Sequence, residues 1–140
     1  MNNRYLYKAK RKHDSKFFKK GEWVDGAYYI EPYTDKCFII QWNSTGLGFN
    51  EFIEVDEESV CQCTGLKDKN GKLIWENDIM VAHLDDIFPE DATYTRVVWN
   101  NNGFCTKEQV SDGVFPLDKF DQENFEVCGN LFDNPELINE

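Results

Sequence analysis

Leu66-Lys67-Asp68-Lys69-Asn70-Gly71-Lys72-Leu73-Ile74-Trp75, continuing through Glu76-Asn77-Asp78 into Ile79-Met80-Val81-Ala82-His83, is the most orderly stretch of this chain. Asn70-Gly71 stands between two short runs. Both residues tolerate positive φ, as a tight hairpin turn demands. Glu76-Asn77-Asp78 then turns the chain into a further strand over residues 79–83. Asp78 follows that turn directly, where a short carboxyl side chain holds backbone N–H groups. We assign it that role ahead of a catalytic one.

Outward from this stretch the strand signals repeat. Residues 22–30 alternate with a period near two and stop before Pro32. Cys37-Phe38-Ile39-Ile40-Gln41-Trp42 forms a second run, a turn-rich segment follows at 43–48, and residues 49–55 make an imperfect third. Asp56-Glu57-Glu58-Ser59 is an acidic break, read as a solvated turn or a helix N-terminus. Val60-Cys61-Gln62-Cys63-Thr64 is a short strand with both sulfurs on one face. Beyond the opening stretch, Tyr94-Thr95-Arg96-Val97-Val98-Trp99 is rich in β-branched and aromatic residues, and Phe104–Lys107 returns after an Asn-rich turn. Residues 116–120 suggest one helical turn, 125–130 a last strand, and Asn134-Pro135-Glu136-Leu137 a capped short helix. No long amphipathic helix is evident. The chain reads as mainly β.

Charge is divided unevenly over the 140 residues. The net charge is −11, yet residues 1–20 carry eight Lys and Arg against the single acid Asp14. The rest of the chain is strongly acidic and repels phosphate backbones at long range, which disfavours nucleic-acid binding by the whole surface. Five cysteines, Cys37, Cys61, Cys63, Cys105 and Cys128, are odd in number and scattered, unlike a secreted disulfide framework. With no signal-like h-region and no apolar run of membrane-spanning length, we expect a cytoplasmic protein without a membrane partner. Eleven Phe, six Tyr and four Trp exceed what so small an interior absorbs readily, which points some rings toward an interface.

The stretch from Val60 to Ile79, with Gln62 before Thr64-Gly65-Leu66 and the Asp68-Lys69-Asn70-Gly71-Lys72 turn, resembles the characteristic segment of the YopX-like family of phage and prophage proteins. Gly21-Glu22-Trp23-Val24-Asp25-Gly26 and Phe125-Glu126-Val127-Cys128-Gly129-Asn130-Leu131-Phe132-Asp133-Asn134-Pro135-Glu136-Leu137 fit the same family in the same order. Asn77 departs from the family's usual Gly, and Asn is the residue best able to keep that turn's positive φ. The acidic loop between Leu84 and Thr93, with Asp85, Asp86, Glu90 and Asp91, has no counterpart in the pattern. The resemblance implies two small β-rich lobes: an N-terminal lobe at about 1–63, a connecting hairpin at 64–76, and a C-terminal lobe at about 77–140 similar to an SH3-like barrel. It implies a phage or prophage setting and no particular activity.

The residue inventory favours no catalysis. There are two histidines, His13 and His83, and neither a Gly-x-Ser-x-Gly elbow nor a phosphate-binding Gly-Lys loop. Cys61 and Cys63 lack a second pair at metal-ligand spacing and read as buried structural thiols; a His83–Asp85–Asp86 metal site is the weaker alternative. We expect no cofactor and no metal requirement. Three classes stay open. The first is a non-catalytic interaction or assembly module, a homo-oligomer with a phage or host protein partner and candidate interface anchors Trp23, Tyr29 and Trp42. Each of those rings also reads, more simply, as core. The second is a nucleic-acid-associated protein using Arg4, Lys8, Lys10, Arg11, Lys12, Lys16, Lys19 and Lys20, with Tyr5, Tyr7, Phe17 and Phe18 as stacking rings. Lysines fringing an edge strand are the plainer account of that segment. The third, least supported, is a metal-dependent enzyme.

Overall fold

The computed structural model of the chain describes residues 5–42, 50–84, 87–88, 90–108 and 113–138. The protein is mainly β and divides into two compact units, Met1–Cys63 and Thr64–Glu140.

In the first unit, strands β1 (Tyr7–Lys10), β2 (Trp23–Ile30), β3 (Cys37–Trp42), β4 (Asn50–Val55) and the start of β5 (Cys61–Lys67) follow the order β4-β3-β2-β1-β5. Every pairing is antiparallel. Period-two alternation sends Ala9, Val24, Cys37, Ile39 and Val55 to one face, where Tyr7, Tyr28, Ile53 and Val60 close over them. Full burial of side chains such as Ile39 and Val55 contributes about 1.5–3 kcal/mol each. The sheet curls until its ends meet. Arg11 bridges Val55, the Lys12 N–H donates to the Glu54 carbonyl (3.1 Å), and the Asp56 N–H donates to Lys10 (3.0 Å). Gly26 sits where β2 changes partner from β1 to β3; a Cβ there would stand 2.4 Å from the Ile40 carbonyl oxygen. The acidic break at Glu57–Ser59 is a single 3-10 turn, and its Ser59 hydroxyl oxygen accepts from the Lys10 N–H (2.8 Å).

The second unit holds the rest of β5, then β6 (Leu73–Trp75), β7 (Asp78–Ala82), β8 (Thr93–Asn100), β9 (Gly103–Glu108), β10 (Val114–Pro116), helix α1 (Lys119–Asn124) and β11 (Glu126–Asn130). Five strands form an antiparallel sheet in the order β10-β9-β8-β7-β11. β7 lies between two neighbours and is buried at all five positions. Ile74, Met80, Ala82, Val97 and Phe125 form the core, with Leu66, Phe104, Leu117 and Val127 against it.

The tight turns follow the sequence reading in place but not always in chemistry. Of the Asn70-Gly71 pair only Gly71 takes positive φ (+81°). The loop is shaped instead by Asp68, whose Oδ1 accepts the N–H groups of Asn70 and Lys72 (both 2.9 Å) and whose Oδ2 accepts that of Val127 (2.8 Å). Asn77 keeps its turn at φ +69°, and Asp78 Oδ2 accepts the Trp75 N–H (2.8 Å). The helical turn expected at 116–120 begins later. Pro116 ends β10, and Asp118 with Asp121 forms a reciprocal capping box that starts α1 at Lys119. Pro135–Leu137 is a 3-10 turn that Asn134 does not cap; its Oδ1 turns back to the Asn130 N–H (3.2 Å).

Candidate functional site

The basic segment of the first unit is split into three environments. Lys8 and Lys10 project from β1 beside Trp23, which faces Lys10 across the ladder; their Nζ atoms lie 4.8 and 5.4 Å from its ring centroid. Arg11 is only 7% exposed, with its guanidinium 4.0 Å from the Phe18 ring centroid. Lys12, Lys16, Lys19 and Lys20 stand exposed in the connection between β1 and β2. That connection is pinned by the Ser15 N–H to the Phe18 carbonyl (2.8 Å) and the Lys20 N–H to Asp14 Oδ1 (2.7 Å). Arg4 lies outside the described residues. The edge-strand account of the segment is overturned, because β1 runs between β2 and β5.

Charge in this region is partly answered from β4. Glu54 meets His13 Nε2 at 2.9 Å and Lys12 Nζ at 3.7 Å. The His13 hydrogen bond is the main cause holding the Glu54 carboxyl below its ordinary range. The four candidate stacking rings also separate. Tyr7 packs on Tyr28 at 5.5 Å in the interior and Phe18 covers Arg11, whereas Tyr5 and Phe17 are exposed. Burial, aided by a hydrogen bond to Cys37 Sγ (3.2 Å), pushes the Tyr28 phenol well above its usual value.

The opposite face of β2, β3 and β4 carries a second feature. Tyr29 stands across from Phe38, and Phe52 joins them, with ring separations of 6.4, 6.1 and 6.4 Å and two edge-on contacts. Tyr29 and Phe52 remain 40% and 58% exposed. Tyr29 was expected from the sequence as an anchor; Phe52 was not. The signal for Phe52 was the alternation that turns Ile53 and Val55 inward. Trp23 lies apart from this cluster, half-buried beneath lysine stems. Trp42 falls on β3 with its side chain outside the described part.

In the second unit a cleft of about 340 Å³ opens beside α1, walled by Leu84, Phe115, Phe120 and Phe125 with Thr95 and Asp121. Burial first, reinforced by the neighbouring Asp118 carboxyl, pushes Asp121 up to about 6 against the opposing Asp118 N–H bond. The Thr95 hydroxyl is buried without a hydrogen-bond partner. This cleft has no signature in the sequence, because its walls come from separate short segments. Cys61 and Cys63 are both buried in β5, as read. Among the described residues no group of three or more His, Cys, Asp or Glu gathers as metal ligands, and no helix is long and apolar enough to cross a membrane. Asp85 and Asp86 lie outside the described residues.

Two of the three resemblance segments, the one around residues 68–79 and the one at 125–137, meet inside the second unit. The Lys69 N–H donates to the Phe125 carbonyl (3.1 Å), Asn70 Nδ2 to Glu126 (2.8 Å), and the Leu131 N–H to the Asn77 carbonyl (2.9 Å). A Cβ on Gly129 would stand 2.5 Å from Asn134 Oδ1, so the Gly129-Asn130 step and Asn134 require each other sterically. These residues build turns and strand ends. No curated protein matches the chain. The crystal structure of protein EF1440 from Enterococcus faecalis is similar in fold, with a TM-score of 0.54 and 22% identity over 96% of this chain and 97% of that one. The description "YopX protein" matches residues 7–139, nearly the whole length, and it is to the YopX family that this chain belongs.

Proposed function

We propose that the protein is a non-catalytic interaction and assembly module of phage or prophage origin, working in the bacterial cytoplasm as a homo-oligomer. One observation carries the reading: the Tyr29–Phe38–Phe52 cluster is a mutually packed aromatic surface left open on the outer face of β2, β3 and β4. Aromatic rings gain most when buried at the centre of an interface. A second copy of the chain meets that need in a closed two-fold pair. In the second unit, the order β10-β9-β8-β7-β11 with a short helix before the last strand favours an SH3-like barrel, a scaffold suited to presenting partner-binding loops.

Light scattering at micromolar concentration tests the proposal. The expected mass is a multiple of the 16.4 kDa chain, reduced to one chain by Phe52→Glu. That variant should change the stability of the fold itself by no more than about 0.5 kcal/mol, because Phe52 is an exposed side chain. A wild-type mass of one chain throughout would reject self-association. A second reading, association with nucleic acid, is favoured by the four exposed lysines of the β1–β2 connection and the neighbouring exposed Phe17. Its signature is single-strand binding that weakens steeply with salt and with neutralisation of Lys16, Lys19 and Lys20.

A further inference from the structure

Among the described residues Arg11 is a charge without a counter-charge. Its residue is 7% exposed, its Nε is buried with no hydrogen-bond partner, and no carboxylate among the described residues pairs with it. A guanidinium stays protonated at any working pH, so burial cannot neutralise it. The Phe18 ring 4.0 Å away offsets a small part of the desolvation cost of an unpaired ion. Buried charges are ordinarily paired. The acids nearby are engaged elsewhere or stand off: Asp14 accepts from Lys20, and Glu54 holds Lys12 and His13.

Arg11 and Phe18 together form a wall shared by two clefts of about 400 and about 230 Å³. The larger is also lined by Asp14, Glu51 and Glu54, which repel an anion, and by Phe52 of the aromatic face. The smaller receives Lys8 and Trp23, with Asp25 across the ladder from Lys8, so a second cation stands at its opening. We propose that the smaller cleft beside Arg11 is an anion-binding site of the first unit, built to take the phosphate group of a phosphate ester, with Phe18 as its cover. Phosphate fits better than a carboxylate. The guanidinium fork matches two phosphate oxygens, and a group carrying up to two negative charges uses Lys8 as well as Arg11. The site does not depend on the aromatic face of β2–β4.

The test uses the full chain and inorganic phosphate as the probe, against chloride at matched ionic strength. At ten times the dissociation constant, phosphate raises the melting temperature by about 4 °C, and Arg11→Met abolishes the rise. In the unmodified protein, the Arg11 Nε–H nuclear magnetic resonance signal shifts with the same saturation curve, so the site is checked even if the variant fails to fold. An unmoved Nε–H signal, or an equal temperature rise in wild type and variant, would overturn the site. An equal effect from acetate would overturn phosphate as its ligand class. Fluorescence anisotropy with a short single-stranded oligonucleotide then assigns the source. Binding that falls tenfold or more in Arg11→Met and competes with phosphate identifies a nucleic-acid backbone. Phosphate binding without strand binding identifies a small phosphate ester.

Discussion

The two units achieve order by different means. In the first, the ladder is regular and the shape follows from which apolar side chains alternate inward, with a crowded backbone crossing at Gly26. In the second, short polar side chains do much of the fastening. Asp68 holds three N–H groups, Asp78 one, Asn130 two, and Asp118 and Asp121 hold each other's. A hydrogen bond of this kind fixes the identity of one residue, whereas an apolar position accepts several residue types of similar volume. Family resemblance is therefore easiest to read where polar side chains fasten turns. On the outer surface of the first unit, the aromatic cluster is held by ring packing, and the basic connection is fastened at Asp14, which accepts the Lys20 N–H.

The contrast is broken most forcefully at Asp68. Asp68→Ala leaves three backbone N–H groups without their acceptor in and around a buried site, and the expected loss is about 3 kcal/mol or more, measured by urea unfolding. Amide exchange at Val127 should accelerate with it. A loss below about 1 kcal/mol would mean that the β5–β6 loop holds its shape without this carboxyl. In the first unit the corresponding break is steric. Gly26→Ala drives a methyl group toward the Ile40 carbonyl and costs about 2 kcal/mol, visible as faster exchange of the Tyr28 and Ile39 amides.

The smallest effect is a dependence on pH. Asp121 titrates near 6 when folded and near 4 when unfolded, so between these values the folded protein keeps a proton that the unfolded chain has lost. Its contribution to stability is fully present below pH 4, falls as pH rises to about 6, and is absent above. Asp121→Asn still accepts the Asp118 N–H and has no carboxyl to ionise. Urea midpoints at pH 4, 5, 6 and 7 should show the variant gaining on wild type as pH rises. A constant difference would remove Asp121 from the titrating groups.

Most strands were legible because their alternation is strong. Cys37–Trp42 was read with the boundaries it has, and Trp23–Ile30, Thr93–Asn100 and Glu126–Asn130 were read within a residue or so. The interior place of β1 is not legible because Tyr7-Lys8-Ala9-Lys10 buries little besides Ala9, and its lysine stems lie along Trp23, so the segment reads as an edge. β10 escaped because its three residues are all exposed. At Asn70-Gly71 the turn was legible but its organiser was not: nothing local to Asp68 announces an acceptor for Val127. The basic run hid Arg11 for a similar reason. In sequence it is one cation among eight, and only the meeting of its neighbourhood with Val55 buries it.

The place of β7 bears on how the chain survives its own synthesis. Its neighbour β8 follows soon after it on the chain, but its other neighbour, β11, begins only at Glu126. At translation rates of about 5–20 residues per second, the stretch 83–125 takes roughly 2 to 9 seconds to emerge. Throughout that interval one side of a strand that is apolar from Ile79 to Ala82 faces whatever is near, including other nascent chains on the same message. A chaperone that holds such an edge, or a slower growth temperature, should raise the yield of folded protein more than any change to the finished surface.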